Sequence, residues 1–254
     1  MVERPDHTVV ATFFSHEAFF AGASTTLGED AAQHAKVLRL GPGVTVGLRD
    51  GNGNAAVGTL ARLTKKSLTV DVAETREIPS RPVVHMLVPV ADRDRMLLLA
   101  EKATELGATS WRPVMWRRSR SVGPAGDGPA FNSRVRGRMT SALIQCGGGW
   151  LPEIHPSAPL ARAIAAAPEG SRFLLDANSE TFLIASQLTE PVVLAIGPEG
   201  GVDSREREEI IAAGFIPVAL AGEILRFETA GIAALAIVRS MLGSGESHTK
   251  GGKN

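Results

Sequence analysis

The sequence predicts a protein of two parts, a compact β-rich unit followed by an α/β domain built on a parallel sheet. Up to about residue 80, strand-like runs are separated by turns, and the segment Asp50 to Asn54 is a strong hairpin signal because Asp-Gly and Asn-Gly tolerate positive φ. Beyond residue 82, strand-like and helix-like segments alternate, a pattern typical of parallel strands with helices on both faces. The segment 77–82 breaks both patterns and marks the expected boundary.

The predicted elements of the first part are four strands and a short helix, for which a small barrel is the natural architecture. The helix spans Glu29 to Leu40, where Lys36 and Arg39 share a face because they are three residues apart. The strands are predicted at 9–14, 44–49, 55–63 and 67–75.

The second part begins with a strand at Val83 to Val90 and a helix from Asp92 to Leu106 that is closed by Gly107. Its middle is less regular, and a Gly/Pro-rich loop separates two groups of arginines. We expect strands at 111–115 and 172–176, helices at 134–145 and 160–167, and a short connector at 181–187.

Two loops of unusual composition follow the last apolar runs. Pro191 to Ile196 is predicted as a strand buried on both faces, and it leads directly into the glycine-rich segment 197–201. Asp203 and Glu206 then form a capping-box pattern that opens a helix ending near Gly214. A second apolar run at 215–220 leads into the charged loop 221–228 and the buried segment 230–242.

These two loops predict a pocket, because ligands of open α/β sheets bind beyond the carboxyl ends of the strands. The alternative is that Gly197, Gly200 and Gly201 only supply turns with positive φ. Neither dinucleotide nor nucleoside triphosphate fingerprints occur, and Glu199 would repel a pyrophosphate.

Composition excludes several classes of protein. The 254 residues contain no apolar run of membrane-spanning length and no secretory signal, so we expect a cytoplasmic protein without membrane partners. The single cysteine, Cys146, excludes an internal disulfide, and the six scattered histidines lack ligand spacing, so no metal is expected.

The formal net charge of zero hides an asymmetry along the chain. Residues 81–140 contain eleven Lys and Arg against five Asp and Glu, whereas residues 190–246 contain four against nine. One face is therefore expected to be basic, and two clusters of arginines in the first range indicate a phosphate-binding surface rather than a merely solvated loop. The clustered arginines are Arg117, Arg118, Arg120, Arg134, Arg136 and Arg138.

Several motifs together resemble one known family. IGPEGG at 196–201 and LRFETAGIAAL at 225–235 resemble the cofactor-site signature of the RsmE family, uridine N3-methyltransferases of 16S ribosomal RNA in the SPOUT superfamily. The resemblance extends to KVLRLGPG at 36–43, EKATELGA at 101–108, RRSRS at 117–121 and QCGGGWLPEI at 145–154. The chain departs from the pattern at Gly148, commonly basic in the family, and at Phe227, commonly threonine.

The resemblance implies a SPOUT-type parallel sheet with a C-terminal trefoil knot, preceded by a PUA-like barrel. The implied domains are 1–78 for RNA binding and 82–243 for methyl transfer, and residues 244–254 are expected to form a disordered tail. It also implies that S-adenosylmethionine is the cofactor and that 16S ribosomal RNA or the small ribosomal subunit is the partner.

The resemblance further implies the residues of the site. Cofactor contacts are expected from main chain and small or apolar side chains of the two loops and the strand before them, namely Leu175, Ile196, Gly197, Glu199, Gly200, Gly201, Leu220, Gly222, Leu225, Thr229 and Ala230. RNA contacts are expected from polar and basic side chains of both domains, namely Lys36, Arg39, Lys102, Arg117, Arg118, Arg120 and Gln145.

Methylation of uridine N3 requires loss of a weakly acidic proton that lies between two carbonyls. Arg226 is the predicted catalytic residue, because a guanidinium beside a carbonyl stabilises the negative charge that develops. The alternative role of Arg226 is a structural ion pair with Glu199 or Glu228. These two carboxylates and a water molecule are the candidate proton acceptors.

Three further expectations concern the protein as a whole. A homodimer is predicted, because the apolar segment 230–242 and one face of the helix 92–106 bury more apolar surface than one sheet face can cover. An alternative function is methylation of another RNA position or of a ribose 2′-hydroxyl. The other is RNA binding without catalysis, motivated by Gly148 and Phe227.

Overall fold

The structure is a computed structural model that describes residues 9–119, 128–183 and 188–244. The predictions for Arg120, for residues 184–187 of the connector and for the tail beyond Ser244 lie outside these ranges. The chain divides into two compact units, one of residues 9–80 with Thr140–Leu151 and one of Arg81–Met139 with residues 152–244.

The first unit is a five-stranded sheet with strand order β1-β3-β4-β5-β2 and one short helix. The strands β1 and β2 form the two edges of this sheet. Register shifts between β4 and β5 curl the sheet around an apolar core that includes Phe13, Leu48 and Leu60. Its elements are β1 (Ala11–Phe14), β2 (Ser24–Leu27), α1 (Glu29–Val37), β3 (Thr45–Arg49), β4 (Asn54–Leu63) and β5 (Leu68–Glu77).

The predicted hairpin at residues 50–54 is confirmed, since β3 and β4 pair antiparallel on either side of it. Gly51 and Gly53 have φ of 78° and 89°, the left-handed region that glycine adopts without strain. The prediction missed β2, an edge strand of four residues.

The second unit is a seven-stranded sheet in which every pairing is parallel. The strand order is β12-β10-β11-β6-β7-β8, with β9 also paired to β7. Its strands are β6 (Val84–Pro89), β7 (Ser110–Met115), β8 (Glu153–Ile154), β9 (Ala158–Pro159), β10 (Ser171–Leu175), β11 (Val192–Ile196) and β12 (Ile216–Val218). Its helices are α2 (Arg93–Glu105), α3 (Pro129–Cys146), α4 (Leu160–Ala165), α5 (Ser204–Ala212) and α6 (Phe227–Ser244), of which α3 continues into the first unit.

Helices cover both faces of this sheet, as predicted. Leu160 of α4 and Ile210 of α5 pack in one core with Val193 of the sheet. On the other side α6 packs against α2 and β11, and a Cβ added to Gly231 would lie 2.8 Å from Ile196 Cδ1 and 2.9 Å from Leu99 Cδ1. Glycine at this position therefore lets α6 approach the sheet closely.

Three details of the second unit differ from the prediction. The two-residue strands β8 and β9 were missed, and α3 begins at Pro129 rather than at Arg134. The trefoil knot stays a prediction. Among the described helices, none is long and apolar enough to cross a membrane.

Candidate active site

A cavity of about 650 Å³ lies at the carboxyl edge of the parallel sheet. Segments that follow five strands line it: Arg95 after β6, Arg118 after β7, Asp176 to Asn178 after β10, the glycine-rich loop after β11, and the loop after β12. This is the place where open parallel sheets bind ligands, as predicted. Its lining residues are Arg95, Arg118, Leu175, Asp176, Ala177, Asn178, Ile196, Gly197, Pro198, Glu199, Gly200, Gly201, Val202, Arg207, Val218, Ala219, Leu220, Ala221, Glu223, Ile224, Leu225, Arg226, Phe227 and Ala230.

Two glycines of the glycine-rich loop, residues 197–201, lie where a Cβ atom would meet a neighbouring residue at close range. A Cβ on Gly197 would lie 2.7 Å from Val202 Cγ2, and one on Gly200 would lie 3.1 Å from the carbonyl oxygen of Arg118. Gly201 has a φ of 74°, and its amide donates to Pro198 O over 2.9 Å. Gly197 and Gly200 therefore let the backbone of the loop pass close to Val202 and Arg118, and both glycines line the cavity.

The cavity contains most of the predicted cofactor residues. Leu175, Ile196, Gly197, Glu199, Gly200, Gly201, Leu220, Leu225 and Ala230 all line it. The two remaining predicted residues, Gly222 and Thr229, are exposed to solvent, and neither is among the described residues that line the cavity.

Arg226 is exposed and lines the cavity. The alternative role, an ion pair with Glu199 or Glu228, is not formed among the described residues. Instead Arg95 pairs with both carboxylates. It forms an ion pair with Glu199, and its Nε lies 3.9 Å from Glu228 Oε1. The guanidinium of Arg226 is therefore available to a ligand.

Glu228 lies at the start of α6 with only 6% of its surface exposed. Its Oε2 has no hydrogen-bond partner among the described residues, although a buried carboxylate normally needs several. Unlike Glu199, it is absent from the described lining of the cavity.

Sequence reasoning missed Arg95, Asp176 and Arg207, which also line the cavity. Asp176 Oδ2 accepts a hydrogen bond from Arg207 Nε over 2.9 Å. Burial raises the pKa of Asp176, but hydrogen bonds from Arg207 and from the Asn178 amide outweigh burial and hold the pKa below its ordinary value. Asp176 is therefore a fixed negative charge at the cavity.

The predicted RNA-binding residues fall into separate groups. Lys36, Arg39 and Gln145 are exposed on the first unit. In the second unit Lys102 Nζ lies 2.9 Å from Glu101 Oε1 and 2.8 Å from Glu105 Oε1, but such partly exposed pairs contribute little and leave the lysine able to exchange partners. Arg117 and Arg118, about half exposed, lie 3.6 Å and 3.7 Å from Asp203.

No three His, Cys, Asp or Glu side chains are grouped as metal ligands within the described ranges.

Comparison with known proteins agrees with this fold. A family model described as an RNA methyltransferase domain matches residues 79–239, and one described as an RNA methyltransferase PUA domain matches residues 27–73. Together with the parallel sheet and its cavity, these matches define an RNA methyltransferase that carries a PUA domain. A relative from Synechocystis sp., ribosomal RNA small subunit methyltransferase E, is 31% identical over 82% of this chain and 70% of its own length. The chain therefore belongs to the RsmE family.

Solved structures support the same conclusion. Ribosomal RNA small subunit methyltransferase E from Neisseria gonorrhoeae, bound to S-adenosyl methionine, matches with a TM-score of 0.83 and 27% identity, covering 91% of this chain and 97% of that chain. A protein from Legionella pneumophila, also in complex with bound cofactor SAM, matches with a TM-score of 0.85 and 25% identity over the same 91% and 97%.

Proposed function

We propose that this protein transfers a methyl group from S-adenosylmethionine to N3 of a uridine in small-subunit (16S) ribosomal RNA. The observation that carries the proposal is the cavity, which combines closely packed glycines with Arg226, an arginine that forms no ion pair within the described part of the chain. Membership of the RsmE family and the two cofactor-bound structural neighbours support it.

The residues of the cavity fit this cofactor. Leu175, Ile196, Leu220 and Leu225 offer apolar surface, and the glycine-rich loop offers backbone groups at close range. Asp176 and Glu199 place carboxylate oxygens beside a ligand whose sulfonium and ammonium groups are positive, although each carboxylate is also paired with an arginine of the lining. When bound, the cofactor supplies an electrophilic methyl group, so the protein has mainly to hold the acceptor nitrogen in line with it.

The acceptor nitrogen must also lose its proton. Arg226 would stabilise the charge that then spreads over the uracil carbonyls. Of the two candidate carboxylates, Glu199 lines the cavity and Glu228 does not, which favours Glu199 over Glu228 as the proton acceptor. A water molecule in the cavity is the third candidate. We expect Glu199→Gln to lower the single-turnover rate at saturating S-adenosylmethionine if Glu199 accepts the proton, and to change only the cofactor affinity if water does.

The deciding experiment identifies the methylated nucleoside. Small ribosomal subunits from a strain lacking this protein are incubated with the protein and methyl-labelled S-adenosylmethionine, and the digested nucleosides are analysed by mass spectrometry. Labelled 3-methyluridine supports the proposal. A label on a ribose 2′-hydroxyl or on another base would show that the protein methylates that group instead of uridine N3. RNA binding without any label would indicate a non-catalytic relative.

The RNA-binding part of the proposal rests on the first unit and on the proposed domain boundaries, 1–78 and 82–243. Lys36 and Arg39 are both exposed at the end of α1. Arg39 has a φ of 56°, the only non-glycine residue with positive φ among the described residues. Its amide donates to Lys36 O, and the Leu40 amide donates to Ala35 O, each over 2.9 Å. This is a Schellman motif in which arginine occupies the position that glycine usually takes.

Arg39→Gly is expected to stabilise the fold while weakening RNA binding. Glycine removes the cost of the left-handed conformation, about 1 kcal/mol after its own entropic cost is subtracted. Loss of one phosphate contact should lower the slope of log affinity against log salt concentration by about one. Thermal melting and RNA titrations at several salt concentrations measure both effects.

Arg39→Lys is the matched control, because it keeps the charge and the strained conformation. It should melt and bind RNA as the wild type does. RNA affinity of Arg39→Gly equal to that of the wild type would mean that Arg39 does not contact RNA.

We also propose a homodimer formed through α2 and α6. Leu98 of α2 is 43% exposed, and Ile232, Ile237 and Met241 of α6 are only half-buried in the single chain. Apolar surface of this kind on two packed helices is typical of a subunit interface.

Leu98→Arg is therefore expected to give a monomer, because a charge in an apolar interface must be desolvated. Light scattering at micromolar concentration measures the mass of both proteins. A wild-type monomer that binds the cofactor fully would exclude the dimer.

A further inference from the structure

The residues after β7 form a compact turn, Trp116–Ser119, which we call the arginine turn. The Ser119 amide donates to Trp116 O over 3.0 Å, and the Trp116 amide donates to Ser119 Oγ over 3.1 Å. These two bonds close the turn on itself and leave Arg117 and Arg118 at its centre. Arg118 lines the cavity.

A buried carboxylate anchors the arginine turn. The Arg117 amide donates to Glu206 Oε1 over 2.8 Å, and Glu206 is only 6% exposed. The sequence pattern predicted that Glu206 would complete a capping box with Asp203 at the start of α5. Asp203 does cap the helix, accepting from the Arg205 amide, but the carboxylate of Glu206 is directed to a segment 89 residues away.

The arginine turn also lies directly on the glycine-rich loop. A Cβ on Gly200 would be 3.1 Å from the carbonyl oxygen of Arg118 and 3.2 Å from its Cβ. Asp203 follows the loop and pairs with both arginines. Its Oδ1 lies 3.6 Å from Arg117 Nη1, and its Oδ2 lies 3.7 Å from Arg118 Nη2. A shift of either segment therefore moves the other.

Of these contacts, the bond to Glu206 is the strongest. The ion pairs to Asp203 involve arginines that are about half exposed, and such pairs contribute little. A hydrogen bond from an amide to a buried carboxylate is charge-assisted and roughly twice as strong as a neutral one. Glu206 Oε2 has no partner among the described residues, so the carboxylate is a costly choice for stability alone.

We propose that Glu206 is a positioning residue that couples the two halves of the site. By holding the arginine turn on the glycine-rich loop, Glu206 makes RNA affinity depend on whether the cofactor site is occupied. A ligand that orders the loop also orders the turn that presents Arg117 and Arg118, and by reciprocity RNA strengthens cofactor binding. The inference rests on the proposed function, because it assumes that the arginine turn contacts RNA.

The test compares RNA affinity with and without S-adenosylhomocysteine, which fills the cofactor site but cannot donate a methyl group. Unmodified 16S ribosomal RNA is titrated with wild type, Glu206→Met, Glu206→Gln and the control Glu209→Met. Methionine removes the acceptor at similar volume, whereas glutamine keeps an acceptor oxygen. Glu209 is an exposed residue of the same helix.

We expect S-adenosylhomocysteine to tighten RNA binding about fivefold or more in wild type, Glu206→Gln and Glu209→Met. In Glu206→Met the factor should fall to about one, and RNA affinity in the presence of S-adenosylhomocysteine should fall about tenfold. S-adenosylhomocysteine alone should bind all four proteins with similar affinity. If Glu206→Met fails to fold, the substitute experiment measures hydrogen exchange of the Arg117 amide in the wild type. This exchange should slow when S-adenosylhomocysteine binds.

Two outcomes of the variant comparison, or of the exchange measurement that replaces it, would overturn the inference, and so would two outcomes of the wild-type titrations. The first is an unchanged coupling factor in Glu206→Met, or an Arg117 amide whose exchange ignores the ligand. The second is a parallel loss of melting temperature, S-adenosylhomocysteine affinity and RNA affinity in Glu206→Met that glutamine does not rescue, which is what a merely structural residue would give. Wild-type protein that fails to bind the RNA contradicts the proposed function and this inference with it, whereas a wild type that binds RNA equally in both conditions contradicts only this inference.

Discussion

Arg226→Ala is expected to lower the single-turnover rate of methyl transfer by about 10² to 10³, the effect of removing one donor that stabilises a developing oxyanion. Affinity for S-adenosylmethionine and the melting temperature should stay near the wild-type values. The reason is structural, because Arg226 is exposed and holds no carboxylate among the described residues. Its removal therefore leaves no buried partner without a counter-charge.

Arg226→Lys should restore little of the rate. Lysine keeps the positive charge but lacks the planar guanidinium that can donate to two acceptors together. The matched control is Arg205→Ala, an exposed arginine of α5 outside the lining of the cavity, which should react at the wild-type rate.

The competing interpretation of Arg226 predicts a different set of measurements. If Arg226 only orders its loop, the cofactor affinity, the melting temperature and the rate would fall together. A variant that binds S-adenosylmethionine weakly yet reacts normally at saturation would remove Arg226 from the chemical step.

The sheet was largely predictable because its central strands are continuous apolar runs. β11 is buried at all five positions, which is the pattern expected of a parallel strand covered on both faces. The missed strands β8 and β9 have two residues each and exist only through pairing with β7. The sequence pattern of a two-residue segment does not reveal that it pairs with β7, so neither strand could be predicted from it.

The site was predictable in position but not in its ion pairs. The loops after β11 and β12 could be placed because carboxyl ends of parallel strands share one edge. Arg95 was missed because its partner Glu199 is 104 residues away. One local signal was present, since Arg95 lies in the first turn of α2, where the helix dipole disfavours a cation unless another group holds it.

The structure accounts for Phe227 but not for Gly148, the two departures from the family pattern. Phe227 is 4% exposed at the start of α6 and lines the cavity, so a bulky apolar side chain fits there. A Cβ on Gly148 would lie 3.1 Å from Leu143 Cδ1, which leaves little room for a larger residue without a small shift. The structure gives no reason for the loss of a basic residue at this position.

Arg239, in the C-terminal half of α6, ties this helix to the rest of the second unit. Its guanidinium donates to the carbonyl oxygens of Leu106, over 3.1 Å from Nε, and of Gly107 and Pro82. The first two lie at the end of α2, where backbone carbonyls have no partner within the helix. Burial, with the charge of Arg81, lowers the pKa of Arg239 to about 10, so the group remains charged at neutral pH.

Arg239→Met is expected to lower the free energy of unfolding by about 3 kcal/mol, because three carbonyls lose one charged donor at once and the thioether cannot replace it. The stability of Arg239→Lys should lie between those of the wild type and Arg239→Met. An ammonium group on a flexible stem cannot donate to three fixed acceptors with the geometry of a guanidinium. Urea titration measures the change as a lower midpoint with an unchanged slope. Arg162→Met, on the exposed surface of α4, is the control and should keep the wild-type midpoint. A midpoint of Arg239→Met equal to that of this control would show that water satisfies the three carbonyls as well as Arg239 does.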